Sequence, residues 1–196
     1  MNVVLSTAYF PNINYLMHFN KSNNIYIDTH EHYQRHSFRN RTNILGANGT
    51  ILLTVPIKKK TSKTKTKDIK ISNESWRKNH IQSIKSAYGS APYFIHYFDE
   101  IEKIINTNYL FLIDLNHSVL QYLVKELNIS KKILWTKAYI QKNDTHYLDQ
   151  RNAITIQNSG HHYQQIFESK FIPNLSVIDL IFNLGPNAKE YLNNNK

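Results

Sequence analysis

The chain has 196 residues, of which 41% are hydrophobic and 12% aromatic, and it carries a formal net charge of +10 and no cysteine. This length and composition predict one globular domain, residues 1–196, which buries roughly 70% of the surface that its unfolded form exposes. The missing cysteines exclude disulfides, thiol nucleophiles and iron–sulfur ligands, and the lack of a long apolar run or a basic leader predicts a cytoplasmic protein without a membrane span.

The first part of the chain predicts two strands separated by a weak helix. Residues 3–10 are a short apolar run of the kind found in buried strands, and Pro11 ends it. Residues 13–22 have a weak helical period. Over residues 23–30, apolar and polar side chains alternate, as they do along a strand with one buried face.

A hairpin is predicted over residues 41–57. Asn48 and Gly49 supply the positive-φ pair that a tight two-residue turn requires, and β-rich segments flank them on both sides. Residues 67–72 predict a further short strand. The N-terminal region should therefore be mainly β structure.

Three amphipathic helices are predicted in the middle of the chain. Their apolar residues recur at intervals of three and four, and Gly89 and Pro92 separate the first helix from the second. The helices cover residues 75–87, 94–105 and 116–129. A strand over 131–140 and a weakly patterned stretch over 141–169 follow.

The C-terminal part predicts a buried helix that ends at Gly185, then a short helix and a frayed tail over 193–196. Strands and helices together predict the α/β class. We expect a single domain with a mixed β-sheet, in which an N-terminal hairpin region is packed by several amphipathic helices and a buried C-terminal helix.

The excess of positive charge favours anionic partners, which are nucleic acid, a membrane surface or a phosphorylated small molecule. Residues 58–67 hold six lysines between two strand-like runs, so much of the excess belongs to one lysine-rich loop. Two interpretations of this loop stay open. It is either a solvated tip or a patch that steers an anion towards the protein.

Histidine and arginine are concentrated in residues 30–41, with the sequence HEHYQRHSFRNR. His30, His32 and His36 could be metal ligands, with Glu31 or Asp28 completing the set. Their spacing matches no zinc motif, and the HExxH pattern is absent. We therefore expect no metal.

Arg39 and Arg41 give a stronger signal for ligand binding. If the segment is extended, both side chains leave the same face about 7 Å apart, and two guanidinium groups could clamp a diphosphate or a carboxylate. Alternatively, each arginine pairs with a nearby acid such as Asp28 or Glu31. The spacing alone does not separate the two interpretations.

The C-terminal helix carries a narrow polar stripe, Ser176, Asp179 and Asn183, on an otherwise apolar surface. A buried ionised aspartate is costly unless a partner stabilises it. The stripe either lines a pocket, where Asp179 holds a base or a basic ligand, or faces water.

His80 falls on the apolar face of the first middle helix. A histidine in that place is commonly a hydrogen-bonded core residue, but it is also the leading candidate for a general base near neutral pH. His161-His162, followed by Tyr163-Gln164, is a second candidate, in an irregular segment of the kind where binding residues often lie. Walker, GxGxxG and GxSxG motifs are absent, which disfavours standard nucleotide hydrolysis, dinucleotide binding and α/β-hydrolase chemistry.

The sequence resembles the WbqC-like protein family from about Leu5 to Leu192. The resemblance is carried by the segments STAYFPNINYL, EHYQRHSFRNRTNILGANGTILLTVPI, SWRKNHIQSIKSAYGSAPYF, LFLIDLNHSVLQYL and FIPNLSVIDLIFNLGP. It implies a bacterial cytoplasmic protein connected with surface-polysaccharide (O-antigen) gene clusters and with a sugar nucleotide or another activated precursor.

The resemblance also implies a set of polar site residues, to which His30, His32 and His36 do not belong. The matching positions are Tyr9, Glu31, Tyr33, Arg39, Asn40, Arg41, His80, Tyr88, Asn116, Tyr163, Gln164, Asn174, Ser176 and Asp179. Longer family members carry a glycine-rich, tyrosine-containing segment before a Tyr-x-Gln-like motif. Here the stretch over 142–162 is short, and the lysine-rich loop lies outside the shared pattern.

These observations favour a transferase that needs no cofactor. Arg39 and Arg41 would bind phosphate, His80 would act as general base, and Asp179 would orient that base or neutralise an arginine, while the other matching positions would bind substrate. Acyl or aminoacyl transfer to an amino sugar requires only a base and an oxyanion donor. The alternatives are a basic nucleic-acid-binding module and a noncatalytic partner of the glycan assembly machinery.

Overall fold

The described residues form two β-sheets, one parallel and one antiparallel, together with six α-helices. The computed structural model describes residues 2–20, 22–72, 75–152, 161–167 and 170–194. The strands are β1 Asn2–Ser6, β2 Asn24–Asp28, β3 Arg41–Gly46, β4 Gly49–Thr54, β5 Lys132–Trp135 and β6 Tyr147–Asp149. The α-helices are α1 Ile13–Asn20, α2 Trp76–Tyr88, α3 Phe94–Asn106, α4 Leu112–Glu126, α5 Val177–Leu184 and α6 Ala188–Asn194.

The parallel sheet has the strand order β5-β2-β1-β6. Helix α1 connects β1 to β2, as a parallel pair requires, and Ile25 and Ile27 of β2 are fully buried, as the alternation predicted. In β1, Val4 pairs with Tyr26 on one side and with Asp149 on the other. Strands β2 and β5 therefore lie on one side of β1, and β6 lies on the other.

The predicted hairpin forms, but its two loop residues are Ala47 and Asn48, one position earlier than the predicted pair Asn48-Gly49, and of that pair only Gly49 has a positive φ. Strands β3 and β4 are antiparallel, with Gly46 opposite Gly49, and Gly49 has a φ of +109° that suits glycine. This hairpin forms a two-stranded sheet of its own. The α/β class is confirmed, with parallel and antiparallel strands in separate sheets.

The predicted helices are confirmed with small shifts of their ends. Their buried residues fall on the faces that the period indicated, as in α3, where Phe98, Ile101 and Ile105 lie in the core. Helix α5 is buried along most of its length, from Val177 to Phe182. Among the described residues, no helix is both long enough and apolar enough to cross a membrane.

Two strand predictions in the N-terminal region were wrong in extent or kind. Strand β1 stops at Ser6, and Phe10 has a φ of +37°, which is incompatible with a strand. Residues 67–72 form part of a short 3₁₀ turn and then two isolated bridges, Ile71 to Ile57 and Lys70 to Phe111. Because each bridge goes to a different segment, no continuous ladder forms.

Two further differences concern the C-terminal half. The weakly patterned stretch over 141–169 contains β6, only three residues long, which its sequence did not reveal. The tail predicted to fray begins inside helix α6, which extends to Asn194, and the last two residues lie outside the described part of the chain.

Candidate functional site

The carboxyl ends of the four parallel strands meet at one edge of the sheet, beside the central strand β1. Polar residues occur there: Ser6 ends β1, Asp28 ends β2, Thr136 follows β5, and Arg151 follows β6 by two residues. In open α/β sheets, ligands bind outside the carboxyl ends of the strands, at the point where the strand order reverses. Here the order reverses at β1, between β2 and β6.

The Arg151 side chain joins the ends of β2 and β6. Its Nη1 donates a short hydrogen bond to Asp28, while its Nε and Nη2 lie 2.9 and 2.5 Å from the two carboxylate oxygens of Asp149. Arg151 and Asp28 are buried. Burial would raise the pKa of Asp149, but the hydrogen bonds from Arg151 outweigh it and hold that pKa below its ordinary value. The Arg151 guanidinium group therefore connects the end of β2 with the end of β6.

A second buried ion pair, Arg39 with Glu31, lies beside the first. Arg39 donates from Nε and Nη2 to the two carboxylate oxygens of Glu31 at 2.7 and 2.6 Å. Its Nη2 also donates to the Ser6 hydroxyl at 2.6 Å, and that hydroxyl donates to the Arg151 carbonyl at 2.9 Å. Ser6 thus links both arginines to the end of β1.

The predicted clamp of Arg39 and Arg41 is wrong in its geometry. Residues 37–40 form turns, so the two arginines do not leave one face of an extended segment. Arg39 follows the alternative interpretation, since its guanidinium is committed to Glu31 and Ser6. Arg41 is half-buried and has no ion pair within the described residues.

Residues 30–41 line three neighbouring cavities. The His30 cavity, of about 440 Å³, and the Ser6 cavity, of about 220 Å³, share Gln34, Arg151 and Asn152. A third cavity, of about 350 Å³, contains Arg41, and we name it the Arg41 cavity. The first two open at the carboxyl edge of the parallel sheet, and we call them together the sheet-edge cleft. The segment with the most unusual composition is therefore also the wall of this cleft.

The cleft favours negative charge. Lys65 and Lys142 line the His30 cavity, and neither forms an ion pair within the described residues. The acid in the same wall, Glu31, is already neutralised by Arg39. An anionic ligand would therefore meet two ammonium groups that form no ion pair, although the charge of Lys142 also acts on the nearby Asp149 carboxylate.

Hydrogen bonds orient the His30 ring in this cleft. Its Nδ1 lies 2.9 Å from the Thr29 hydroxyl, and that hydroxyl also lies 3.2 Å from the Thr136 carbonyl. With the hydroxyl proton on the Thr136 carbonyl, the Thr29 oxygen accepts from Nδ1–H and Nε2 of the neutral ring is the proton acceptor; with that proton on Nδ1, the closer partner, the tautomer is reversed. We adopt the first arrangement as an assignment. The His30 backbone N–H also donates to Asp28 at 2.8 Å. The ring is therefore held by the ends of two strands.

His80, the histidine predicted as general base, lies elsewhere in the core. Its side chain is 4% exposed, and its Nδ1 is 2.9 Å from the Tyr9 hydroxyl. Burial lowers the pKa of His80 to about 4. The ring is thus uncharged near neutral pH. It is not among the residues that line the sheet-edge cleft, so a substrate bound there would not reach it.

Asp179 is fully buried, so it does not face water, and its hydrogen-bond donors are neutral side chains, not a base or a basic ligand. It accepts hydrogen bonds from the hydroxyls of Tyr88, at 2.9 Å, and of Tyr163, and from the Gln165 side chain at 3.2 Å. Burial raises the pKa of Asp179 despite these three donors. The predicted contact with His80 or an arginine does not form.

The other members of the polar stripe differ in burial. Ser176 is fully buried, and its hydroxyl donates to the Phe10 carbonyl at 3.0 Å, which anchors the start of α5. Asn183 is partly exposed, and its side chain donates to the Asp179 carbonyl of the same helix at 2.8 Å. The stripe therefore reaches water only at Asn183, and none of its residues lines the sheet-edge cleft.

Several other predicted site residues serve as internal connections. Tyr33 donates to Asn40 at 2.7 Å, and Asn116 donates to the Arg39 carbonyl at 2.8 Å. The Asn174 side chain accepts from the Asn14 backbone at 3.1 Å. Gln164 is exposed, and its neighbour Gln165 makes the contacts instead. A Tyr-x-Gln pattern begun at Tyr163 places the glutamine at position 165, which would have pointed to it.

Sequence reasoning missed Ser6, Thr29 and Arg151 altogether. Arg151 lies 123 residues from Asp28 in a stretch without a clear period, and no sequence signal points to it. Within the described residues, no group of three or more histidine and acidic side chains is placed to hold a metal ion.

Fold and cleft together define the class of this protein: an α/β protein with a lysine-lined cleft at the carboxyl edge of a short parallel sheet. The sequence matches the WbqC-like protein family over residues 7–159 and again over 137–191. The chain belongs to the WbqC-like protein family. Neither the curated proteins nor the solved structures include a match to it.

Proposed function

We propose that this protein is a cytoplasmic transferase that acts on a nucleotide-activated or carrier-bound precursor of a bacterial surface polysaccharide. The single observation that supports the proposal most is the sheet-edge cleft, because it combines a basic lining with an oriented histidine at the position where α/β proteins bind ligands. The chain belongs to the WbqC-like family, and the O-antigen context is part of the proposal, taken from what the resemblance to that family implies.

The substrate would bind through its negative charge. Lys65 and Lys142 approach the His30 cavity from two separate segments of the chain, so an anionic group between them would be held from both sides. The buried pairs Arg151 with Asp28 and Arg39 with Glu31 keep the wall rigid behind it. Rigid walls reduce the conformational entropy that the protein loses when a ligand binds.

His30 replaces His80 as the proposed general base. In an acyl transfer, the acceptor hydroxyl or amine attacks the activated carbonyl carbon, its proton passes to Nε2 of His30, and the activating group departs with the electron pair of the broken bond. The Thr29 hydroxyl keeps the other ring nitrogen protonated. His80 and Asp179 then support the fold rather than the reaction.

A thermal-shift screen at two salt concentrations tests the proposal. The ligands are sugar nucleotides, coenzyme A derivatives and a short single-stranded oligonucleotide. A ligand at 100 times its dissociation constant adds roughly 2.7 kcal/mol of stability. We expect a shift from a small phosphorylated compound that persists at the higher salt concentration.

Two variants in the cleft, each with a control of the same substitution elsewhere, test whether the ligand binds in the cleft. Lys142→Ala and His30→Gln alter the cleft, while Lys137→Ala and His96→Gln change exposed residues outside its lining. Lys142→Ala should weaken the shift, and His30→Gln should abolish turnover while the ligand still binds. Equal behaviour of the cleft and control variants would refute the proposal. A shift only with the oligonucleotide, lost at high salt, would favour nucleic-acid binding instead.

A further inference from the structure

The ionisable groups that line the Arg41 cavity are mainly positively charged side chains. Its wall combines the start of β3, part of the segment before it, and the first three residues of the lysine-rich loop. Asp and Glu are absent from this lining, as far as the described residues extend. The charged or titratable lining residues are Arg35, His36, Arg41, Lys58, Lys59 and Lys60.

Arg41 lacks a partner for part of its guanidinium group. Its Nε is buried without a hydrogen bond, and no ion pair to Arg41 occurs within the described residues. A buried N–H that has lost water without gaining an acceptor is unfavourable, and a charged one more so. Nε itself is closed to solvent, so the donors that an anionic ligand in the cavity could meet are the Nη groups of Arg41, for which no acceptor occurs within the described residues.

The walls of the cavity are fixed from behind. Tyr33 donates to Asn40 at 2.7 Å, and Asn40 donates to the Val55 carbonyl at 2.8 Å. The Lys58 backbone N–H donates to the Lys70 carbonyl at 2.9 Å, which anchors the start of the lysine-rich loop. A ligand would meet a largely preformed site.

Positive charges crowd one another at this cavity. The Lys60 ammonium lies 4.6 Å from the centre of the Tyr33 ring, so that side chain follows the cavity wall. The pKa of Lys60 lies below its ordinary value, because of partial burial and then the charge of Arg35. A multiply charged anion would relieve this repulsion.

We propose that the Arg41 cavity binds a diphosphate group. Guanidinium forks recognise phosphate oxygens in pairs, and lysines add point charges that suit a group with several negative charges. The volume of about 350 Å³ lies within the range of small-molecule sites. The site includes the start of the lysine-rich loop, which thereby gains a role besides that of a solvated tip.

The position of the cavity connects it with the proposed reaction. It shares Arg35 and His36 with the Ser6 cavity, so a precursor bound in the sheet-edge cleft could extend its diphosphate into the Arg41 cavity. Only this connection rests on the proposed transferase function. Diphosphate binding itself can be measured without any reaction.

Isothermal titration calorimetry with inorganic pyrophosphate tests the site. The variants are Arg41→Gln and Lys59→Gln, and the matched control is Lys63→Gln, an exposed lysine of the same loop that does not line the cavity. Arg41 makes no described hydrogen bond or ion pair, so its replacement should leave the fold intact, which the melting temperature checks. We expect binding at least about tenfold weaker in Arg41→Gln, severalfold weaker in Lys59→Gln and unchanged in Lys63→Gln.

Uridine diphosphate and a single-stranded oligonucleotide serve as further probes. If Arg41→Gln weakens the binding of uridine diphosphate as much as that of pyrophosphate, the result supports a nucleotide-linked source of the diphosphate. Absence of pyrophosphate binding, or equal losses in Lys59→Gln and Lys63→Gln, overturns the site. So does a preference for the oligonucleotide that falls steeply with salt, since it indicates a nucleic-acid surface. A transferase assay that fails while pyrophosphate binding behaves as expected would count against the proposed function alone.

Discussion

The sheet-edge cleft and the surroundings of Asp179 both contain buried carboxylates, but the two regions satisfy them differently. In the cleft, Glu31 and Asp28 each meet a guanidinium group, and cavities open beside them. Asp179 meets only neutral donors and is enclosed by α5 and its neighbours. A buried acid is therefore not in itself the mark of a site. Here the adjacent cavity distinguishes the candidate site from a structural network.

The largest expected effect is that of breaking the Arg39–Glu31 pair. Arg39→Ala leaves the Glu31 carboxylate buried without its partner and should lower the free energy of unfolding by about 3–5 kcal/mol. Urea unfolding measures this change. Lys85→Ala, which breaks the surface pair with Glu102, is the control and should cost no more than about 1 kcal/mol. Equal losses in both variants would contradict the importance of the buried pair.

A smaller loss is expected from Asp179→Ala. Removal of this carboxylate leaves the Tyr88 and Tyr163 hydroxyls without the acceptor they share, while Gln165 keeps its hydrogen bond to the Ile172 carbonyl, and the change should cost about 2–4 kcal/mol. Asp99→Ala, at an exposed position of α3, should change stability by less than about 0.5 kcal/mol. Ligand binding in the cleft should survive in the folded Asp179 variant. A selective loss of binding without a loss of stability would place Asp179 in the site.

His80 should make the free energy of unfolding depend on pH, and the exposed His96 provides the comparison. Its pKa is about 4 in the folded protein and 6.5 in the unfolded chain, so between these values the unfolded state binds more protons. Stability should therefore fall as the pH drops from about 6.5 towards 4, by up to about 3 kcal/mol from this residue. His80→Gln should show a shallower decline in urea unfolding over that window, whereas the exposed His96→Gln should retain it. The same decline in His80→Gln as in the parent protein would exclude this cause.

Local patterns predicted much of the fold. The turn signal Asn48-Gly49 located the hairpin to within one residue, and three- and four-residue periods located the helices, because both signals lie within a few neighbouring residues. Strand β6 escaped prediction because three residues are too few to show a period. The weakness of the prediction therefore lay in elements that only tertiary pairing defines.

The site was predicted less well than the fold for the same physical reason. Arg39 and Glu31 were recognised as possible partners, since they lie eight residues apart. The pair of Arg151 and Asp28 depends on the register of a sheet whose strands are distant in sequence. Histidines presented the same difficulty, because the Thr29 hydroxyl that contacts His30 is also bonded to the carbonyl of Thr136, which lies 107 residues away in the sequence.

The most direct test of ligand binding at the sheet-edge cleft is a crystal structure of the protein with a uridine-diphosphate-linked amino sugar. We expect the ligand beside His30, Gln34 and Lys142, with Nε2 of His30 facing the sugar and no displacement of the Arg39–Glu31 pair. A ligand bound at another surface, such as the cavity between Leu127 and α6, with the cleft empty, would contradict the proposal.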